Sequence, residues 1–371
     1  MLLKASKDVT PPSVIKMSIG EPQLKAPMYI NDELMKFSSD WSKYPPSIAI
    51  PRLKNSIMMY LQRRFNESDK LVNPDINILP VPGTREPLHL IGLIAKNKNK
   101  SNPIALVTNP YYHAWRTGGI ECSSKIYWLN AKRENNYNPD LDEIPKNILD
   151  STVIMHLCFP SNPQGGLTSL AYLKKAINLA KDYDFVLALD ECYIDIYRLK
   201  EKKPIGGLDA IIEMGADLKN IIIFNSLSKR SNVPGIRSGF IVADEEIISI
   251  YKLLVSNGAA PVPIPIQNVA SALYDDDAHN VLSCKSYDYN FELAKKYLGK
   301  NFSDLDIPKA GFFLWLPVHD DIKITKSLWK DFSIRVMPGS FMAEEIDGYN
   351  PGKNFLRIAL VYDKFIIEEA M

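Results

Sequence analysis

Along this chain, short apolar runs alternate with longer stretches of helical rhythm. "NPIALVTN" (102–109), "STVIMHLCF" (151–159), "FVLALDE" (185–191) and "NIIIFNS" (220–226) are continuous apolar runs bounded by turn residues. Such runs read as strands buried on both faces. Between the second and third, "SLAYLKKAINLAKDY" (169–183) has apolar residues at helical spacing behind a serine suited to cap a helix. Strands separated by helices predict an α/β fold with a mainly parallel central sheet sandwiched by helices. Further on, "VLSCKSYDYNFELAKKYLGK" (281–300) predicts a long connecting helix. "AGFFLWLPV" (310–318) and "NFLRIALVY" (354–362) predict two more strands, set off by Gly/Pro turns. The expected organisation is a large domain over residues 41–280 and a smaller α+β domain from residues 1–40 and 281–371. A proline-rich break at 44–51 marks the first change.

Composition narrows the function classes. The net charge is +1 and no long basic run occurs, so neither nucleic acid nor an anionic membrane is an expected partner. No apolar stretch reaches the ~18 residues a membrane helix needs, and the first residues lack the apolar core of a signal peptide. Cys122, Cys158, Cys192 and Cys284 are scattered, without a CxxC pair. No metal site or disulfide framework is expected, and a reducing, cytoplasmic setting fits.

In parallel sheets, ligands sit beyond the carboxyl ends of the strands. Those ends here are "TNPYYHAW", "CFPSNPQGG", "LDECYIDIY" and "NSLSKRSNVPGIR". Singly, their polar residues read as caps, turns and solvated charges. Together they ask for one ligand. Arg237 and Ser226, with the turn "PGTR" carrying Gly83, Thr84 and Arg85, suit a phosphate at a helix start. Tyr112 suits a flat ring, Asp190 a buried cationic nitrogen and Lys229 a reactive carbonyl. A phosphorylated pyridine aldehyde, pyridoxal 5'-phosphate, has all these features. Arg230 has no place in this set and reads as a surface charge.

The ordered motifs "SIGEP", "KYPPSIAIPRLKNSI", "PGTR", "PYY", "SNPQG", "DECY", "SLSKRSNVPGIRSGF" and "FLRIAL" resemble the aspartate-aminotransferase-like family of fold type I pyridoxal-phosphate enzymes. The resemblance covers nearly the whole chain. It implies a two-stage amino transfer in a homodimer with shared active sites. Lys229 would be the Schiff-base lysine and proton carrier, and Asp190 the partner of the ring nitrogen. Tyr193 and Asn162 would bond the ring's 3' oxygen, and Tyr112 would stack on the ring. Tyr44 would reach the neighbouring subunit's phosphate. Arg357, helped by the backbone of Gly20, would hold the substrate α-carboxylate.

The lysine stretch is similar to that of succinyldiaminopimelate transaminases. This implies N-succinyl-diaminopimelate as substrate, with glutamate and 2-oxoglutarate as the second pair. Arg116, Lys25 and Arg335 are candidate cations for the distal group of the substrate. Arg116 and Thr117 depart from that subfamily's pattern. The same motifs also serve aspartate- or aromatic-type aminotransferases and C–S β-lyases. A ligand sensor in a transcription regulator would require an added DNA-binding module, and no basic recognition helix is present.

Overall fold

A computed structural model describes residues 14–123, 125–303 and 305–371. Residues 1–13, expected in the smaller domain, lie outside the described residues. The strands in chain order are β1 (Ile15–Lys16), β2 (Ile78–Val81), β3 (Ile104–Asn109), β4 (Lys125–Asn130), β5 (Thr152–Cys158) and β6 (Val186–Asp190). They continue with β7 (Ile221–Ser226), β8 (Gly239–Ala243), β9 (Phe313–Pro317), β10 (Ile334–Arg335), β11 (Met337–Pro338) and β12 (Phe355–Ala359).

The central sheet has seven strands in the order β2-β8-β7-β6-β5-β3-β4. Every pairing from β7 through β6, β5 and β3 to β4 is parallel, and β8 runs opposite to both its neighbours. The mainly parallel α/β sandwich expected from the sequence is therefore present. Because β8 is reversed, its first residue, Gly239, pairs with Ser226 at the end of β7. The segment leading into β8 thus reaches the same edge as the carboxyl ends of the parallel strands.

Side chains alternate between two apolar layers, as a pleated strand requires. Leu187 and Leu189 of β6, with Ile221 and Ile223 of β7, enter one layer. Helices Pro51–Arg64, Leu170–Asp182 and Ile264–Asp275 cover it. Val186 and Ala188, with Ile222 and Phe224, enter the other. Helices Arg85–Ala95, His113–Cys122 and Glu245–Asn257 cover that side. Each fully buried Leu, Ile or Phe contributes about 1.5–3 kcal/mol relative to exposure, so the strand ends are held from both faces.

A third cluster gathers Met17, Phe291, Leu314, Leu316, Leu356 and Ile358. It lies on the antiparallel sheet β11-β12-β9 and the short parallel pair β1-β10. Helix Ala278–Leu298 spans the clusters, with Tyr287 in the second and Phe291 in the third.

Elements match the expected strands to within a few residues. Helix Leu170–Asp182 starts at the expected serine, whose Oγ accepts from Tyr172 N at 3.2 Å. The sequence reading missed β2, β4 and β8. β2 contains Pro80, which lacks an N–H, and it is tolerated because β2 is an edge strand. β4 is the opposite edge: its short apolar run Ile126–Leu129 carries two large aromatic rings, and only Leu129 in it is buried.

Candidate active site

Lys229 lies on a one-turn helix, Leu227–Arg230, directly after β7. Ser226 caps that turn, its Oγ accepting from Ser228 N at 3.2 Å. The Lys229 ammonium donates to the Gly20 carbonyl and stands 6.0 Å from the centre of the Phe312 ring. Burial lowers its pKa from 10.5 to about 8, and the Arg357 guanidinium acts in the same direction.

Asp190 ends β6 and is buried. Its Oδ2 accepts from Trp115 Nε1 at 3.1 Å and its Oδ1 from Cys192 N at 3.2 Å. Burial raises its pKa, while these N–H donors favour the carboxylate. Tyr193, three residues beyond Asp190, packs against Phe312 and Phe313 at 5.5 and 5.7 Å between ring centres. Burial raises its hydroxyl's pKa, and Arg357 opposes the rise.

Arg357, on β12, meets Asn162 from the loop after β5. Its Nη1 donates to Asn162 Oδ1 at 2.9 Å and its Nη2 to the Ser18 carbonyl at 2.7 Å. The guanidinium lies 4.4 Å from the Phe313 ring centre, and its buried Nε has no partner among the described residues. Burial lowers its pKa to about 10. Gly20 is required beside it: a Cβ there would come 2.3 Å from Phe313 Cζ.

On the other side, the turn after β2 meets the segment before β8. Gly83 has φ +77°, and a Cβ on it would lie 2.3 Å from Arg237 Nη2. Arg237 Nη1 donates to the Pro234 carbonyl at 3.1 Å. Thr84 Oγ1 is 3.0 Å from Cys192 Sγ, which ties this turn to the Asp190 segment. Arg85 Nε donates to the Tyr112 hydroxyl at 3.0 Å, and Tyr112 packs edge-on to Trp115. The structure therefore gathers Gly20, Gly83, Thr84, Arg85, Tyr112, Asn162, Asp190, Tyr193, Ser226, Lys229, Arg237 and Arg357 around one edge of the sheet. Tyr44 is separate in character, its side chain fully exposed at 100%.

Of the candidate distal cations, Arg335 stacks 4.0 Å from the Trp329 ring centre, Lys25 is exposed, and Arg116 has a buried Nε without a partner among the described residues. Arg230 corrects the sequence reading. It is 3% exposed, not a surface charge, and its Nε donates to Asp195 Oδ2 at 3.1 Å. A buried carboxylate several residues past "DECY" supplied its partner, and nothing in the local sequence marks that pairing. Trp115 was missed as well, although its place three residues after Tyr112 on a helix puts both on one face.

Comparison with known proteins agrees with this arrangement. Residues 12–370 match the family described as aminotransferase class I and II. The crystal structure of an aminotransferase from Neisseria meningitidis is 33% identical, with a TM-score of 0.92, covering 100% of this chain and 94% of that one. One from Helicobacter pylori is 28% identical, with a TM-score of 0.89, covering 99% and 94%. The LL-diaminopimelate aminotransferase of Dehalococcoides mccartyi is 28% identical over 374 residues, covering 99% of this chain and 92% of that protein. The protein of the same name from Natranaerobius thermophilus is 28% identical, covering 96% and 90%. The chain belongs to the class I and II aminotransferases, and it is a pyridoxal-phosphate-dependent transaminase acting between amino acids and 2-oxo acids.

Proposed function

We propose that this transaminase acts on a diaminopimelate, in its N-succinylated form, with glutamate and 2-oxoglutarate as the second pair. The diaminopimelate part is supported by the relatives named for that substrate, and the succinylated form by the sequence of residues 226–240. A second reading, transfer from free LL-diaminopimelate, is favoured by the names of those same relatives, LL-diaminopimelate aminotransferases. The observation that carries amino transfer is the pair of incompletely partnered cations, half-buried Lys229 and buried Arg357.

The residues present fit pyridoxal phosphate. Gly83 leaves space beside Arg237 that any Cβ would fill, as a phosphate cradle needs. Asp190 is a buried carboxylate bonded by the Cys192 thiol and by the Trp115 and Cys192 N–H donors, with no cation in hydrogen-bond contact among the described residues, suited to a protonated ring nitrogen. When bound, pyridoxal phosphate supplies an electron-withdrawing ring that takes up the electron pair released at the substrate Cα.

The rest falls to the chain. Arg357 pairs with the substrate α-carboxylate through its fork and so orients Cα. Asn162 then keeps its place beside that fork. Lys229, with a pKa near 8, has a substantial neutral fraction near neutrality and takes the Cα proton on Nζ. Asp190, kept ionised by Cys192 and the Trp115 indole, would hold a proton on the ring nitrogen. Tyr112 would cover the ring, and Ser226, Thr84, Arg85 and Arg237 would hold the phosphate.

The same reading makes the active enzyme a homodimer, supported by the full exposure of Tyr44. It also takes residues 41–280 as the large domain and the remainder as the small one, supported by the separate third cluster. We take the enzyme to work in the cytoplasm; among the described residues no helix is long and apolar enough to cross a membrane.

The test is a visible spectrum of the purified enzyme during addition of glutamate, N-succinyl-diaminopimelate and LL-diaminopimelate in turn. Conversion to the aminated cofactor with glutamate and the succinylated compound is the expected result. Conversion with the free diamine instead moves the assignment to the second reading. Pyruvate and ammonia released from cystathionine would replace both with a C–S lyase.

A further inference from the structure

The helix that carries Lys229 is one turn long, too short to keep its own shape. Asp190 ends β6, and Lys229 lies three residues beyond the end of the neighbouring strand β7. The distance between the acid and the amine therefore depends on two segments past the strand ends, 191–198 and 227–232. Arg230 and Asp195 join those segments.

Arg230 Nε donates to Asp195 Oδ2 at 3.1 Å, and its Nη1 donates to the Leu273 carbonyl at 2.8 Å. Its Nη2 bonds Asp277 and the Asp276 carbonyl. Asp195 accepts in addition from Tyr60 Oη at 2.7 Å and Arg64 Nε at 3.2 Å. Asn280, on helix Ala278–Leu298, donates its amide to the backbone oxygens of both Asp195 and Arg230, each at 3.2 Å. The neighbouring His279 places Nε2 2.8 Å from Ser231 Oγ. The side chain next to Lys229 is thus fixed from four directions while Lys229 itself points the other way, to Gly20.

We propose that Arg230, through its ion pair with Asp195, is the positioning residue that fixes the Lys229 amine relative to Asp190. The proposal rests on Lys229 being the catalytic lysine. A buried ion cluster is a poor source of stability, because desolvation offsets the attraction and apolar replacements are often neutral. A planar guanidinium with fixed donor directions does supply geometry. Proton transfer at Cα needs that geometry, since a displacement of about 1 Å can cost on the order of a hundredfold in rate.

The test compares Arg230→Met, Arg230→Lys and Asp195→Asn in the full-length, cofactor-loaded enzyme. Arg230→Met leaves no lone charge, because Arg64 still faces Asp195 and Arg63 still faces Asp277. It is expected to keep the wild-type circular dichroism and KM while kcat falls roughly a hundredfold. The pH midpoint of the visible absorbance of the lysine-bound cofactor should move as well. Arg230→Lys retains a cation against Asp195 and should recover part of the kcat. If Arg230→Met fails to fold, Asp195→Asn is read by the same two quantities. Wild-type kcat together with an unmoved midpoint in the folded variant overturns the proposal, whatever happens to the melting temperature. So does an Arg230→Lys variant no better than Arg230→Met. Failure of the underlying reading shows separately: Lys229→Ala would keep the lysine-bound absorbance and the turnover.

Discussion

Two arginines are buried in this molecule to nearly the same depth, Arg230 at 3% exposure and Arg357 at 8%, and their surroundings are opposite. Burial works against the charge of Arg230, yet Asp195 and its other neighbours hold its pKa above the ordinary value. Arg357 has an amide oxygen, a backbone carbonyl and an aromatic ring around it, and no carboxylate bonded to it. Its pKa falls to about 10. One cation is completed by the chain, and the other is left for an incoming anion to complete. Burial alone therefore does not mark a binding residue; burial with an unfilled bonding capacity does.

Exchanging each arginine for alanine should separate the two cases. If Arg357 grips the substrate carboxylate as proposed, Arg357→Ala removes two hydrogen bonds to it, and kcat/KM is expected to fall by about a thousandfold, some 4 kcal/mol. Its melting temperature should stay level or rise, because a buried and partly unbonded charge is gone. Steady-state kinetics beside a thermal melt would measure both. A large loss of stability with unchanged kcat/KM would reverse the roles. Arg230→Ala is expected to cost about 3 kcal/mol of stability, at the low end for breaking a buried pair, because Arg64 still faces Asp195. Urea unfolding gives that number.

The sequence shows one half of this contrast and hides the other. Arg357 stands inside "FLRIAL", an apolar strand where a charge is conspicuous, and the resemblance named it. Arg230 sits beside Lys229 in a loop that looks solvated, and its partners Asp195, Leu273 and Asp277 come from distant stretches. Local pattern cannot bring those stretches together. The same holds for the sheet. The inner parallel strands β3, β5, β6 and β7 are buried on both faces and announce themselves as apolar runs. The inner strand β8, equally buried but reached through the polar segment 227–238, and the edge strands β2, with Pro80, and β4 do not read as strands. The Gly83 turn stands out in the sequence as a candidate phosphate cradle, whereas its close approach to Arg237 depends on the reversal of β8.

Lys229 belongs with Arg357, as a cation the chain leaves incomplete. In the cofactor-free protein its amine titrates near about 8, against 10.5 ordinarily. Below about 8 the folded chain carries a half-buried ammonium, and its cost is present in full. Between about 8 and 10.5 the unfolded chain holds a proton that the folded chain has released, so stability rises with pH across that window. Lys229→Met removes the cost and should stabilise the cofactor-free protein by about 2–3 kcal/mol at pH 7. That gain should vanish by pH 10.5. A gain that persists unchanged at high pH would come from packing instead, and the lysine would not be the poised amine described above.

The contrast between the arginines recurs, smaller, between two carboxylates. Asp195 is bonded by two guanidinium groups, whereas Asp190 is bonded by the Cys192 thiol, the Cys192 N–H and the Trp115 indole, with no cation in hydrogen-bond contact among the described residues. Burial raises the Asp190 pKa, and the Cys192 thiol and N–H, then the indole, oppose the rise. Trp115→Phe keeps the ring that packs beside Tyr112 and removes only that donor. The loss should be about 1.5 kcal/mol, the lower value for a hydrogen bond to a charged group. It should appear at the acid side of the pH profile. A carboxylate that loses a donor protonates at higher pH, so kcat/KM of the variant should begin to fall at a higher pH than in the wild type as the solution is acidified. Above that limb the two enzymes should converge. An acid limb that does not move would mean that the Cys192 thiol and N–H suffice to keep Asp190 ionised, and that the indole is there for packing alone.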